Sequence, residues 1–100
     1  MPVMQITDSA TTIYRGASLG GDGQPNPVIG QVGIRNVSEQ SVIINAWVKT
    51  NKPLDLTGQE EGKKADMTLT LNGLQSIIVG GACVTAFIPE SNRIALIEIF

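Results

Sequence analysis

Cys83, nine carboxylates and seven basic side chains are the groups with which this chain could make or break bonds, because it holds no histidine. That absence removes the commonest general base near neutral pH, together with every histidine-based triad and metal site. Cys83 stands in Gly80-Gly-Ala-Cys-Val-Thr-Ala-Phe87, on a predicted strand with small and apolar neighbours. Such a setting raises a thiol's pKa and leaves it inert, so Cys83 reads as a packing residue. The carboxylates form few close pairs, and Glu60-Glu61 sits next to Lys63-Lys64, which makes a mutually screened surface. Asp22-Gly23 lacks the alternating oxygen ligands of a calcium loop. Gly16-Ala-Ser-Leu-Gly-Gly-Asp-Gly23 lacks the Gly-Lys-Ser/Thr ending and the following helix that cradle a phosphate. No catalytic residue, cofactor or metal is therefore assigned, and the chain is expected not to be an enzyme. A small hydrolase using carboxylates or Cys83 is the weakest of its alternatives.

Binding chemistry is equally sparse. The four aromatics are Tyr14, Trp47, Phe87 and Phe100. Trp47, beside Asn45 and Lys49, would suit a shallow carbohydrate site, with Tyr14 as a second stacking candidate. Aromatics also concentrate at the centres of subunit contacts, and that reading of Trp47 is preferred. The net charge of -2, with its basic residues scattered, gives no clustered cationic surface for nucleic acid or an anionic membrane. One cysteine excludes an internal disulfide framework and a cysteine-rich metal site. The amino-terminal residues show no signal-peptide pattern, so Asn36-Val-Ser38 is expected to be an idle glycosylation acceptor. The longest apolar span, Ser76 to Ile88, is 13 residues long and broken by Gly80-Gly81, too short for ~30 Å of hydrocarbon. A soluble protein made in the cytoplasm is expected.

These residues must be carried by short strands. One hundred residues support one domain, 1–100, and 42% hydrophobic content supplies a core that the scarcity of aromatics makes aliphatic. A first strand is expected in Val3–Thr7 or Thr11–Arg15. Residues 16–27 read as an irregular Gly/Pro-rich loop that prevents pairing. In Val28–Asn36, Val32 and Ile34 share one face. Val37–Gln40 reads as a hairpin turn. In Ser41–Lys49, Val42, Ile44, Ala46 and Val48 should face the core, leaving Ile43, Asn45, Trp47 and Lys49 on a mixed, wet face. Residues 50–66 hold Pro53, Gly58 and Gly62 among clustered charges. They read as a charged, solvated crossover, with at most a helical turn around Gln59–Lys64. Met67–Leu71 alternates cleanly, Asn72-Gly73 signals a tight turn, and Ser76–Val79 and Ala82–Ile88 follow. Pro89–Asn92 turns the chain into the last strand. The sum is an all-β fold, an antiparallel β-sandwich of about six to eight strands with Greek-key connections, immunoglobulin-like or jelly-roll.

Gly33-Ile-Arg-Asn-Val-Ser-Glu-Gln-Ser-Val-Ile-Ile-Asn45 and Leu71-Asn-Gly-Leu-Gln-Ser-Ile-Ile-Val79 resemble segments of immunoglobulin-like sandwich modules. The resemblance spans roughly half the chain and carries no functional residue across; the inter-sheet cysteine pair of that family is absent.

The last strand raises the functional question. In Arg93-Ile-Ala-Leu-Ile-Glu-Ile-Phe100, Ile94, Leu96 and Phe100 point one way and Ala95, Ile97 and Ile99 the other. A sheet with one wet face would alternate apolar with polar, so a second apolar face asks for cover by another molecule or by the amino-terminal arm. A terminal strand apolar to its end, with Glu98 its only charge after Arg93, would be a pairing hazard on an edge. It is therefore expected either to be buried centrally or to augment a partner's sheet. Trp47, Leu96, Ile97, Ile99 and Phe100 are the expected interaction residues. The reading is a non-enzymatic structural or interaction protein that assembles through strand surfaces, as a homo-oligomer or in a larger protein assembly. Its concrete form is a viral or phage virion component, a capsid cement or decoration protein or a head-tail protein. A carbohydrate- or ligand-binding sandwich module, with a glycan as partner, is the alternative.

Overall fold

Alternation of β-branched and polar residues commits most of this chain to pleated strands, since side chains two apart share a face. The computed structural model describes residues 2–19, 25–61 and 64–100, and these contain ten strands and no helix. The strands are β1 (Val3–Ile6), β2 (Thr11–Arg15), β3 (Ala17–Leu19), β4 (Pro25–Pro27), β5 (Gly30–Asn36), β6 (Val42–Trp47), β7 (Met67–Leu71), β8 (Ser76–Gly81), β9 (Cys83–Phe87) and β10 (Ala95–Ile99). Asp22-Gly23, most of the glycine-rich stretch and Gly62-Lys63 lie outside the described residues. Among the described residues no helix is long and apolar enough to cross a membrane.

Two four-stranded sheets carry the fold: sheet A in the order β1-β10-β5-β8 and sheet B in the order β2-β9-β6-β7. Every pairing is antiparallel. β6 pairs with β7, β5 with β8, β2 with β9 and β1 with β10, so the chain is one nested hairpin ribbon rolled into two layers. That is the double Greek key of a jelly roll, not the immunoglobulin arrangement. The hairpin expected at Val37–Gln40 is corrected accordingly, whereas Asn72-Gly73 does open a tight turn, closed by the Gln75 N–H on Asn72 O (3.2 Å). Residues 37–41 carry the chain from β5 in sheet A to β6 in sheet B, and residues 72–75 carry it from β7 in sheet B to β8 in sheet A. In the second arch, positive φ falls on Leu74 (65°) and not on Asn72 or Gly73.

Both candidates for the first strand are strands, one in each sheet. The Gly/Pro-rich loop also pairs where it was expected not to. Ala17–Leu19 and Pro25–Pro27 form a two-stranded ribbon, whose short ladder tolerates proline because each strand is an edge.

The core is aliphatic. Ile6, Val32, Ile34, Val79, Ala95 and Ile97 of sheet A meet Val42, Ile44, Ala46, Leu71, Val84 and Ala86 of sheet B. A register shift between Thr12 and Tyr14 places both Ile13 and Tyr14 against this core. Such a bulge also blunts an edge strand. Asn36, fully buried, fastens the 37–41 arch: its amide donates to the carbonyls of Gln40 (2.6 Å) and Leu71 (3.1 Å), and its Oδ1 accepts from Ser38 N–H and Oγ–H.

Candidate functional site

The two outer faces of the sandwich differ, and the difference begins with residue type. On sheet B the register aligns Thr12, Thr85, Asn45 and Thr68 in one polar row across all four strands. Asn45 and Thr85 are nevertheless fully buried, because the chain after β6 folds back over them. Asn45 donates to Thr57 O (2.8 Å) and accepts from Thr68 Oγ1, while Thr85 Oγ1 donates to Leu56 O (2.7 Å). Trp47 and Phe87, on the same face, are buried too. The expected solvated crossover is therefore a cover, and the mixed face of β6 is dry. A row of side-chain donors and acceptors gives the loop's carbonyls the partners that buried backbone requires. Val48, expected in the core, lies past the end of β6 and is exposed.

Asp55 shapes that cover. Its Oδ1 accepts from Thr57 N–H (3.0 Å) and Oγ1–H (2.6 Å), and its Oδ2 from Gln59 N–H (2.9 Å) and Glu60 N–H (2.7 Å). Chiefly the Thr57 hydroxyl, then the Glu60 amide, pull the carboxyl down to about 2. Gln59 and Glu60 join this turn, while Gly62-Lys63 of the helical turn expected around Gln59–Lys64 lie outside the described residues.

Sheet A has no such cover among the described residues. The row Phe100, Gly33, Ile78 crosses its outer face, next to the row Val3, Glu98, Arg35, Ser76. Gly33 and Phe100 exchange both backbone hydrogen bonds (3.0 and 2.9 Å), and the Phe100 ring lies where a Gly33 side chain would be. Val3 (58%), Ile78 (65%), Leu96 (38%) and Phe100 (54%) remain open to solvent.

The five residues expected at an interface thus separate. Leu96 and Phe100 lie on the bare face of sheet A. Ile97 is in the core, and Ile99 is half-buried against it. Trp47 is on sheet B beneath the cover. β10 lies between β1 and β5, so the last strand has no free edge; the edges of sheet A are β1 and β8. Exposed Ile78 was not among the five expected interaction residues, although Ser76–Val79 reads as apolar on both sides.

A cleft of about 300 Å³ opens where the 48–66 connection leaves β6 and returns to β7. Trp47, Pro53 and Leu54 give it apolar walls; Lys49, Thr50, Lys52, Lys64 and Asp66 give it polar ones. Asp66 Oδ2 accepts from Val48 N–H at 2.6 Å. Tyr14 is remote from stacking duty: its ring covers Gly30 and Gly16, and its hydroxyl donates to Val28 O (3.2 Å).

Cys83 is fully buried opposite Arg15 and Trp47. Burial pushes its thiol up, and the Arg15 guanidinium pulls weakly the other way. A thiol so placed is a poor nucleophile. Among the described residues no three of Cys, Asp and Glu gather as a metal set. No family model, curated protein or solved structure matches this chain.

Proposed function

We propose that this is a non-enzymatic structural or interaction protein that assembles through the outer face of sheet A. The observation that carries the reading is the inequality of the two faces. The chain spends residues 50–61 on covering sheet B and leaves Val3, Ile78, Leu96 and Phe100 of sheet A bare. Val3, Phe100 and Ile78 lie in adjacent rows of this face with Leu96 beyond Glu98, and exposed apolar residues gathered in this way mark contact sites. The occupant is a second copy of the chain. Glu98 lies directly beside Arg35 in the middle of the face. A two-fold axis running along the strands between them sets each charge against its opposite on the partner, as a self-complementary interface requires.

β10 is flanked on both sides, so the mode of association is face packing rather than strand addition by the last strand. The concrete form of the reading is a component of a viral or phage particle, a capsid cement, decoration or head-tail protein. Jelly rolls serve viral capsids among other roles, which supports this reading.

Light scattering coupled to size exclusion, at about 10–100 µM so that a micromolar Kd is sampled, should give a multimer. Ile78→Lys with Phe100→Ser should give a monomer of unchanged circular dichroism. A wild-type chain that stays monomeric throughout overturns the proposal. The alternative, a ligand-binding module, draws on a separate observation, the cleft beside Trp47.

A further inference from the structure

We propose that the cleft between the two limbs of the 48–66 connection binds a small hydroxylated organic anion, a sugar bearing a carboxylate or a phosphate. Three observations converge there. First, the charge is local and opposite to that of the molecule. Among the described residues, Lys49, Lys52 and Lys64 line the cleft against one carboxylate, that of Asp66, in a chain whose net charge is -2. None of the three lysines is ion-paired with a described residue. Lysine ammonium groups brought together without carboxylate partners repel one another, and a bound anion relieves that repulsion.

Second, Asp66 is committed on one side. Its Oδ2 is held by the Val48 N–H at 2.6 Å, which fixes the carboxylate at the cleft wall. Its other oxygen is an acceptor with lone pairs to offer to a ligand hydroxyl. Inorganic phosphate offers that acceptor only its P–OH, beside a like charge; a polyol offers neutral hydroxyls. Third, Trp47, Pro53 and Leu54 supply apolar wall, and the volume of about 300 Å³ sits at the small end of ligand pockets. Apolar wall beside ammonium groups and one acceptor matches the carbon face, the acid group and the hydroxyls of an acidic sugar.

This inference rests on the ligand-binding reading and is independent of assembly, because the cleft is on the sheet B side and the bare face belongs to sheet A. Trp47 is the one tryptophan and lines the cleft, so its fluorescence is a built-in reporter. Four titrations of the intact chain test the proposal: glucuronate, glucose 6-phosphate, glucose and inorganic phosphate, each repeated by calorimetry. The two acidic sugars should saturate, with affinity falling several-fold between about 20 and about 300 mM NaCl as screening grows. Glucose should not saturate, and phosphate should bind at least about tenfold more weakly than glucose 6-phosphate, a difference of about 1.4 kcal/mol. Lys49→Ala with Lys64→Ala should weaken the acidic sugars about tenfold or more; both side chains are exposed, and unchanged circular dichroism confirms folding. Glucose binding as tightly as glucuronate, or full binding by the lysine variant, overturns the charge argument and leaves a neutral-ligand module standing. Silence of all four ligands in both measurements overturns the module as well.

Discussion

Asp55 is one residue that holds together a whole covering loop. Four donors converge on its carboxylate, and a carboxyl whose charged form is so solvated by the chain keeps its proton off down to about 2. The folded value lies below the ordinary 3.8, so ionised Asp55 favours the closed loop above about pH 4. That support is lost as pH falls from about 4 through about 2. Trp47 emission followed from pH 5 to pH 1.5 should therefore shift to the red across this window. Asp55→Asn should flatten the step and leave the loop looser at neutral pH; an unchanged acid profile in the variant would show that other carboxylates hold the cover. At this scale the sequence was a partial guide. Burial of Cys83 followed from its small, apolar neighbours. The role of Asp55 was hidden, because its partners Thr57, Gln59 and Glu60 are ordinary loop residues until the backbone curls around it.

At the scale of elements, the alternation of strands was legible and the destination of the turns was not. Val32 and Ile34, or Val42, Ile44 and Ala46, reveal their common face by spacing alone. Asn72-Gly73 has the same turn chemistry whether the chain returns beside the strand it left or crosses to the opposite layer, and only packing of the whole ribbon decides. The cover was misread for a related reason. Charges such as Lys49, Lys52, Glu60 and Glu61 announce solvent, while the backbone carbonyls of Leu56 and Thr57 that dock on Asn45 and Thr85 have no sequence signature. The cleft shares this fate: Trp47 and Lys49 are near neighbours in the chain, but Lys64 and Asp66 join them only through the return of the loop. Replacing residues 51–61 by a short Gly/Ser connection should expose Trp47, Phe87, Asn45 and Thr85 together. Exposing two large aromatics forfeits roughly 1.5–3 kcal/mol for each. The urea midpoint should fall and a dye that binds exposed apolar surface should light up; a midpoint equal to that of the parent would mean the loop covers without stabilising.

For the molecule as a whole, the deepest constraint is that Val3 pairs with Glu98 and Ile6 with Ala95. Sheet A is thus closed by segments from opposite extremes of the ribbon, and contacts of such long sequence separation make folding slow. A chain cut before Ile94 would keep β1 and β5 with an empty slot between them, walled by Ile6 and Ile34 and edged by unpaired amides and carbonyls on both sides. Such a slot is a receptor for one defined strand. A synthetic peptide of residues 94–100 should restore native circular dichroism and a cooperative melt to the shortened chain, whereas the same peptide with Ile97→Asp should not. The fold that denies its last strand a free edge therefore also makes that strand a replaceable part, a plug whose insertion can be timed, labelled or withheld.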